Sequence, residues 1–153
     1  MIIGADISLR HGALVQSNGN VLFEYTDGCG MDCTIPELYA RAQQLLRYTP
    51  SRAKVIIDFD RDSGNWGKPS VALLITVLVS MYGALAQNSG RTVIYATPEL
   101  IRHCAGLSPY TSKKEVHEHV RSYAPVYASD KHGDLMDAWL LAHSYQCIIS
   151  ETQ

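Results

Sequence analysis

Four aspartates stand where a carboxylate is costly unless something positive meets it. Asp6 closes the apolar run Ile2-Ile3-Gly4-Ala5, and Asp58 closes Lys54-Val55-Ile56-Ile57. A charged group at the end of a buried strand has to be paired or bound to metal. In open α/β folds the ends of the strands form the ligand crevice. Asp134 and Asp137 are three residues apart, which on a helix puts them on one face roughly 5–6 Å apart. Two strand-end acids and two helix acids converging on one point would repel one another without a cation. Such a hard, oxygen-rich site suits Mg²⁺ or Mn²⁺. Two ions about 4 Å apart are the arrangement that hydrolyses phosphodiesters. The helix pair also has a plainer explanation, because acids near a helix N-terminus are favoured by its dipole.

Other metal-binding side chains form no comparable pattern. Cys29 and Cys33 flank Gly-Met-Asp, but no second close pair follows Cys104 or Cys147, so zinc is disfavoured and free thiols are expected. His117 and His119 are two apart on a helix and cannot face the same way. His132 lies beside the acidic pair, where it could tune it, and His143 follows Asp137 by six residues. No histidine is assigned a catalytic role.

The elements that must hold the acids can be read from pattern. Ile2 to Ile7, Gly12 to Gln16 and Val21 to Tyr25 read as three strands, the last two joined at Asn18-Gly19, a strong hairpin signal. Thr34 with Glu37 forms a capping box that opens a helix to about Tyr48, with Leu38, Ala42, Leu45 and Leu46 on one face. Lys54 to Asp58 is the clearest buried strand. The polar loop Asp60 to Lys68 follows, and Pro69 then opens a helix to about Gln87, stopped by Asn88-Ser89-Gly90. Arg91 to Tyr95 is a fifth strand, Pro98 to Cys104 a short helix, and Thr111 or Ser112 caps a helix to about Tyr123. Asp130 to Ile148 is one final helix. The order βββαβαβααα implies a mixed sheet with helices on its faces.

Composition agrees with a compact fold. Of 153 residues, 46% are hydrophobic and 18% charged, which argues against disorder. The first residues lead directly into a strand and read as no signal peptide. The stretch Val71 to Ala86 is shorter than the about 20 residues a membrane span needs, so no membrane is expected. The formal net charge of -2 offers no overall basic character for nucleic acid. With four aspartates given over to metal, however, the rest of the chain is net positive.

At this point the residues resemble a family. Ile3-Gly4-Ala5-Asp6-Ile7-Ser8, with Gly12 beginning the next strand, resembles the first motif of RuvC-type Holliday junction resolvases. Asp134-Leu-Met-Asp137-Ala138-Trp-Leu-Leu-Ala142-His143 is similar to that family's final helix, which carries two metal-binding acids three apart. Ser112-Lys113-Lys114-Glu115-Val116-His117 is similar to its lysine-bearing segment and aligns the lysine beside the scissile phosphate with Lys113. The resemblance covers nearly the whole chain, in order. It implies a ribonuclease-H-like α/β fold, a mixed five-stranded sheet with helices on both faces, as one nuclease domain over residues 1–153.

The resemblance further implies a Mg²⁺-dependent crossover junction endodeoxyribonuclease of DNA recombination and repair, with Mn²⁺ able to substitute. Asp6, Asp58, Asp134 and Asp137 would bind two metal ions, Lys113 would complete the catalytic set, and the products would carry 5′-phosphate and 3′-hydroxyl ends. The partners would be four-way junction DNA and a second copy of the chain, in the cytoplasm of a bacterium or a phage-infected host. Two departures stand out. Bacterial members of the family usually have glutamate where this chain has Asp58, and Asp60 on the same strand face is the rival. The family's aromatic after that acid corresponds to Trp66, later than expected, or to Phe59. Small size and these departures resemble a phage-type member.

Arg61, Lys68, Arg102, Lys113 and Lys114 are the cations expected near DNA, with Trp66 as a base-stacking candidate; a surface loop aromatic is the plainer reading of Trp66. The helix after Pro69 is apolar almost all round and needs cover on more than one side, which a two-fold dimer or the C-terminal helices would supply. Two other functions fit parts of the pattern. One is a less selective nuclease acting on flaps, branches or RNA–DNA hybrids. The other is a non-catalytic actin-like nucleotide-binding module, suggested by the Gly-x-Asp-x-Ser start but lacking a second glycine-rich phosphate loop.

Overall fold

A computed structural model describes residues 1–59 and 69–152 of the chain. Its sheet has the strand order β3-β2-β1-β4-β5, formed by β1 (Ile2–Ile7), β2 (Gly12–Gln16), β3 (Val21–Tyr25), β4 (Lys54–Asp58) and β5 (Thr92–Ala96). The first three strands are antiparallel, and β4 and β5 run parallel to β1. This is the expected mixed five-stranded sheet. Around it lie α1 (Ile35–Arg47), α2 (Pro69–Asn88), α3 (Pro98–Cys104), α4 (Lys113–Arg121), α5 (Asp134–His143) and α6 (Tyr145–Thr152).

Strand alternation sends successive side chains to opposite faces and so builds two cores. Ile3, Ala5, Ile7, Val55 and Ile57 pack with α1 and α2. Ile56, Ala13 and Val15 pack on the other face with α4, α5 and α6. Gly4 lies between Ile3 and Ala5 and faces this second layer, where a Cβ would collide with the Ala138 carbonyl oxygen. Glycine at that point lets α5 lie directly on β1, the approach that the site requires.

Local signals are formed as the sequence implies. Thr34 and Glu37 make the reciprocal capping box of α1, and Leu38, Ala42 and Leu45 are buried. Ser112, rather than Thr111, caps α4 and forms its own box with Glu115.

Three expectations change. The final helix is two helices and starts later than Asp130. Gly133 adopts φ +79°, a left-handed conformation that glycine takes without steric cost, and it ends the preceding turn. Gly133 offers no side chain as a cap, so the Asp130 carboxylate instead accepts from Leu135 N–H at 3.0 Å and Met136 N–H at 3.1 Å. The break between α5 and α6 falls at Ser144.

The helix α2 has the expected extent, but the expectation that its apolar stretch is too short to span a membrane does not hold. Its segment Ser70–Asn88 is long and apolar enough to cross a membrane by length and composition alone. Ala72, Ile75, Leu78, Val79, Tyr82 and Ala86 nevertheless lie in the protein core, while Leu73 on the opposite side is 64% exposed. The cysteines, expected as free thiols, are paired as Cys29–Cys33 and Cys104–Cys147, the second pair tying α3 to α6.

Candidate active site

The parallel pairing of β1 and β4 aligns Ala5 with Ile57, so the next residues, Asp6 and Asp58, leave the sheet at the same end. Alternation places both on the α5 face, opposite to Ala5 and Ile57. Because α5 rests on β1 at Gly4, the first turn of α5 overhangs that end. It carries Asp134 and Asp137. All four acids therefore share one region, although Asp134 and Asp6 come from opposite ends of the chain.

Electrostatics records the convergence. The Asp6 carboxyl is held well above the usual carboxylate range, first by burial and then by the negative charges of Asp137, Asp134 and Asp58. It also makes a side-chain hydrogen bond with Asp134, which two carboxyl groups can form only by holding a proton between them. Asp134 itself is 3% exposed.

Three basic side chains meet the helix acids. His11 Nδ1–H donates to both oxygens of Asp134 at 2.9 Å. His117 Nε2–H donates to Asp137 Oδ1 at 2.6 Å, and Lys113 Nζ lies 3.2 Å from Asp137 Oδ2. Partial burial opposes the Lys113 charge, but Asp137, Asp6 and Asp134 together hold its pKa above the ordinary lysine value. The His132 ring stacks on His11 with centroids 4.2 Å apart and planes within 10°. Close packing of His117 against Gly133 is possible because a Cβ at 133 would run into the His117 ring.

Sequence reading missed His11 and gave His117 no role. No spacing rule connects His11 with Asp134, 123 residues away. Glu24 was also missed. The pairings Asp6–Ala13 and Ala13–Glu24 put Asp6 and Glu24 in one row across the sheet. Burial, then Asp130 and Asp134, raises the Glu24 pKa. The register shifts by one residue between Leu14 and Val15, so the Asn18-Gly19 turn alone would set Ala13 opposite Phe23, and no local signal in the sequence points to Glu24.

Among the described residues, no three His, Cys or acidic groups are arranged to hold a metal ion as they stand. The donor set nevertheless fits a hard divalent cation. It consists of carboxylates whose mutual repulsion holds the Asp6 proton in place, a proton that an oxygen-seeking ion can replace, with two imidazoles and one ammonium group beside them to orient and neutralise. Asp6, Asp58, Asp134 and Asp137 are the residues that would hold it.

The remaining predicted residues are dispersed. Arg102 Nε donates to the Thr111 carbonyl at 2.8 Å and so braces the loop leading to α4. Lys114 is exposed and lies 4.0 Å from Glu118, one helical turn away. His119 contacts the Ala105 carbonyl, and His143 stacks on Trp139. Phe59 meets Tyr95 edge-on at 5.7 Å. Asp60, Arg61, Trp66 and Lys68 lie outside the described residues.

No protein-family model matches the chain, and no curated protein matches it. Solved structures do. The chain is similar to the Thermus thermophilus RuvC structure with a TM-score of 0.66 and 16% identity, over 99% of this chain and 96% of that one. It is also similar to T. thermophilus RuvC in complex with a Holliday junction substrate, with a TM-score of 0.68 and 15% identity, over 98% and 94% of the two chains. The chain thus has the RuvC-type, ribonuclease-H-like fold over almost its full length.

Proposed function

We propose that this protein is a homodimeric Holliday junction resolvase, a structure-selective endodeoxyribonuclease that makes paired symmetric nicks in four-way DNA junctions. One observation carries the reading. In a RuvC-type fold, Asp6 sits in the combined field of Asp58, Asp134 and Asp137, with Lys113 Nζ at the edge of the same cluster.

The four aspartates are the proposed ligands of two Mg²⁺ ions, with Mn²⁺ able to substitute. When bound, such ions supply Lewis-acid catalysis of phosphodiester hydrolysis. The chain's own residues position and neutralise. His11 fixes the carboxylate plane of Asp134, and His117 does the same for Asp137. Lys113, at the first turn of α4, presents a fixed positive charge where the scissile phosphate gains negative charge, the type of stabilisation that is strongest in a preorganised site. The cut strand would carry 5′-phosphate and 3′-hydroxyl ends.

Symmetric nicking needs two sites. The outer side of α2, marked by the exposed Leu73, is the surface proposed to meet a second copy. The proposed setting is the cytoplasm of a bacterial cell or a phage-infected host.

The test is cleavage of an immobile four-way junction against linear duplex, with and without Mg²⁺. Paired, metal-dependent nicks on the junction alone are expected. Equal cleavage of duplex, flap and hybrid substrates would reduce the reading to a general nuclease, and no cleavage with either ion would overturn it.

A further inference from the structure

A cleft of about 790 Å³ opens between α4 and the segment that leads into α5. It begins at the site just described, since Lys113, His117 and Gly133 form its inner end. Its lining continues with Lys114 and Arg121 of α4, with Val126, Tyr127 and Lys131 of the segment that leads into α5, and with Met136 of α5.

Two properties set it apart from an ordinary surface groove. Its cations are available: Arg121 and Lys131 are exposed and make no ion pair among the described residues. The carboxylate lining it, Asp130, is committed to the Leu135 and Met136 N–H groups. The same lining carries apolar and aromatic side chains. Val126 is 97% exposed and open to contact. Tyr127 is half-buried and held in place where its hydroxyl donates to the Gly19 carbonyl at 3.3 Å.

Positive charge beside an anchored aromatic ring is the composition that binds single-stranded nucleic acid, with cations tracking phosphates and a ring stacking on a base. The volume lies within the 300–1,000 Å³ range of small-molecule sites, enough for a nucleotide and too confined for a duplex.

We propose that this cleft is a nucleotide subsite that takes an unpaired nucleotide of the DNA strand beside the scissile phosphate, its base against Tyr127 and Val126 and its phosphates against Arg121 and Lys131. The inference rests on the nuclease reading for its place in the reaction, but binding can be measured without cleavage. The subsite makes the enzyme select DNA whose strand is unstacked at the cutting point. Regular duplex cannot enter, because its bases face inward.

The probe is a fluorescein-labelled tetradeoxythymidylate for affinity, and the same length carrying one 2-aminopurine for stacking. Both are measured on the full chain with Ca²⁺ in place of Mg²⁺. Arg121→Glu/Lys131→Glu is expected to weaken binding about tenfold and to lower the slope of log affinity against log salt by roughly 1.4, as for two lost phosphate contacts. Tyr127→Leu is expected to abolish the 2-aminopurine quenching, and Tyr127→Phe to retain it, because the ring and not the hydroxyl stacks. Unchanged affinity in the double charge reversal, or no quenching by the wild-type chain, would overturn the subsite. If the oligonucleotide results are as expected but no junction is cut, the nuclease reading fails and the subsite stands. If the junction is cut equally well by wild type, the charge-reversal variant and Tyr127→Leu, the subsite fails and the nuclease reading stands.

Discussion

His11 Nδ1 lies 2.9 Å from both carboxylate oxygens of Asp134, joining the residue that precedes β2 to the first residue of α5. Asp134 is buried, so this imidazole is a main source of compensation for its charge. The bond also ties the first turn of α5 to the chain between β1 and β2, beside Asp6, where α5 packs over both strands. A hydrogen bond to a charged group contributes about 1.5–3 kcal/mol when its loss strands the partner. His11→Ala should therefore destabilise the metal-free protein by about 2 kcal/mol in urea denaturation. The deficit should shrink in excess Mg²⁺, which supplies the missing positive charge by binding the native state. An identical deficit with and without Mg²⁺ would separate His11 from the metal site.

Asp6 gives a prediction with a definite sign in pH. Its folded-state pKa is raised above the unfolded value, so the folded chain holds the proton more tightly. That contribution is complete below the ordinary aspartate pKa and is lost as pH rises through the raised folded value. Metal-free protein should thus lose stability from about pH 4 upward toward neutrality. Asp6→Asn should flatten that limb, raise Tm at pH 7 without metal, and abolish cleavage while leaving junction binding intact. A variant less stable than wild type at pH 7 in EDTA would contradict the charge-cluster account.

Mg²⁺ should raise the Tm of the wild-type chain in a concentration-dependent manner, by about 2.7 kcal/mol of stability at a hundred times its Kd. Asp137→Asn should lose most of that response. Calorimetric scans with and without EDTA measure both.

Lys113 tests the division between binding and chemistry. Its ammonium is held at Asp137 and is exposed enough to reach a bound phosphate. Lys113→Ala should slow single-turnover junction cleavage by about 10²-fold or more, on the scale of losing one preorganised charge donor. Junction affinity should change only a few-fold. Lys114→Ala, one residue on but directed toward Glu118, should leave the cleavage step nearly unchanged.

Gly4→Ala addresses how the site is assembled. The new methyl group would meet the Ala138 backbone carbonyl, which cannot move aside as a side chain can. Overpacking ordinarily costs about 1–3 kcal/mol, and this contact is with a helix backbone. The variant should unfold at lower urea concentration, and whatever remains folded should show a weakened Mg²⁺ response because α5 has been lifted from β1. A fully Mg²⁺-responsive Gly4→Ala protein would show that the helix position is not critical.

The elements were legible because their signals are local. Alternation marks β1 and β4, the Thr34–Glu37 box and the cap candidates Thr111 and Ser112 mark helix starts, and Asn18-Gly19 marks a hairpin. The four aspartates were legible for a related reason: a carboxylate that ends an apolar run, or repeats at helical spacing, is conspicuous within a few residues of sequence. The start of α5 was misplaced by four residues because Asp130 caps it from a distance across a left-handed Gly133, a conformation that composition alone does not dictate. Only the tertiary structure decided that His11 and His117 hold the helix acids, that Arg102 braces a loop, that Glu24 shares a row with Asp6, and that a cationic cleft opens beside Lys113. Each of these depends on which faces are brought together when α5 settles onto β1 at Gly4. Sequence order determines the pieces and their periodicity, whereas partners 123 residues apart are chosen by packing.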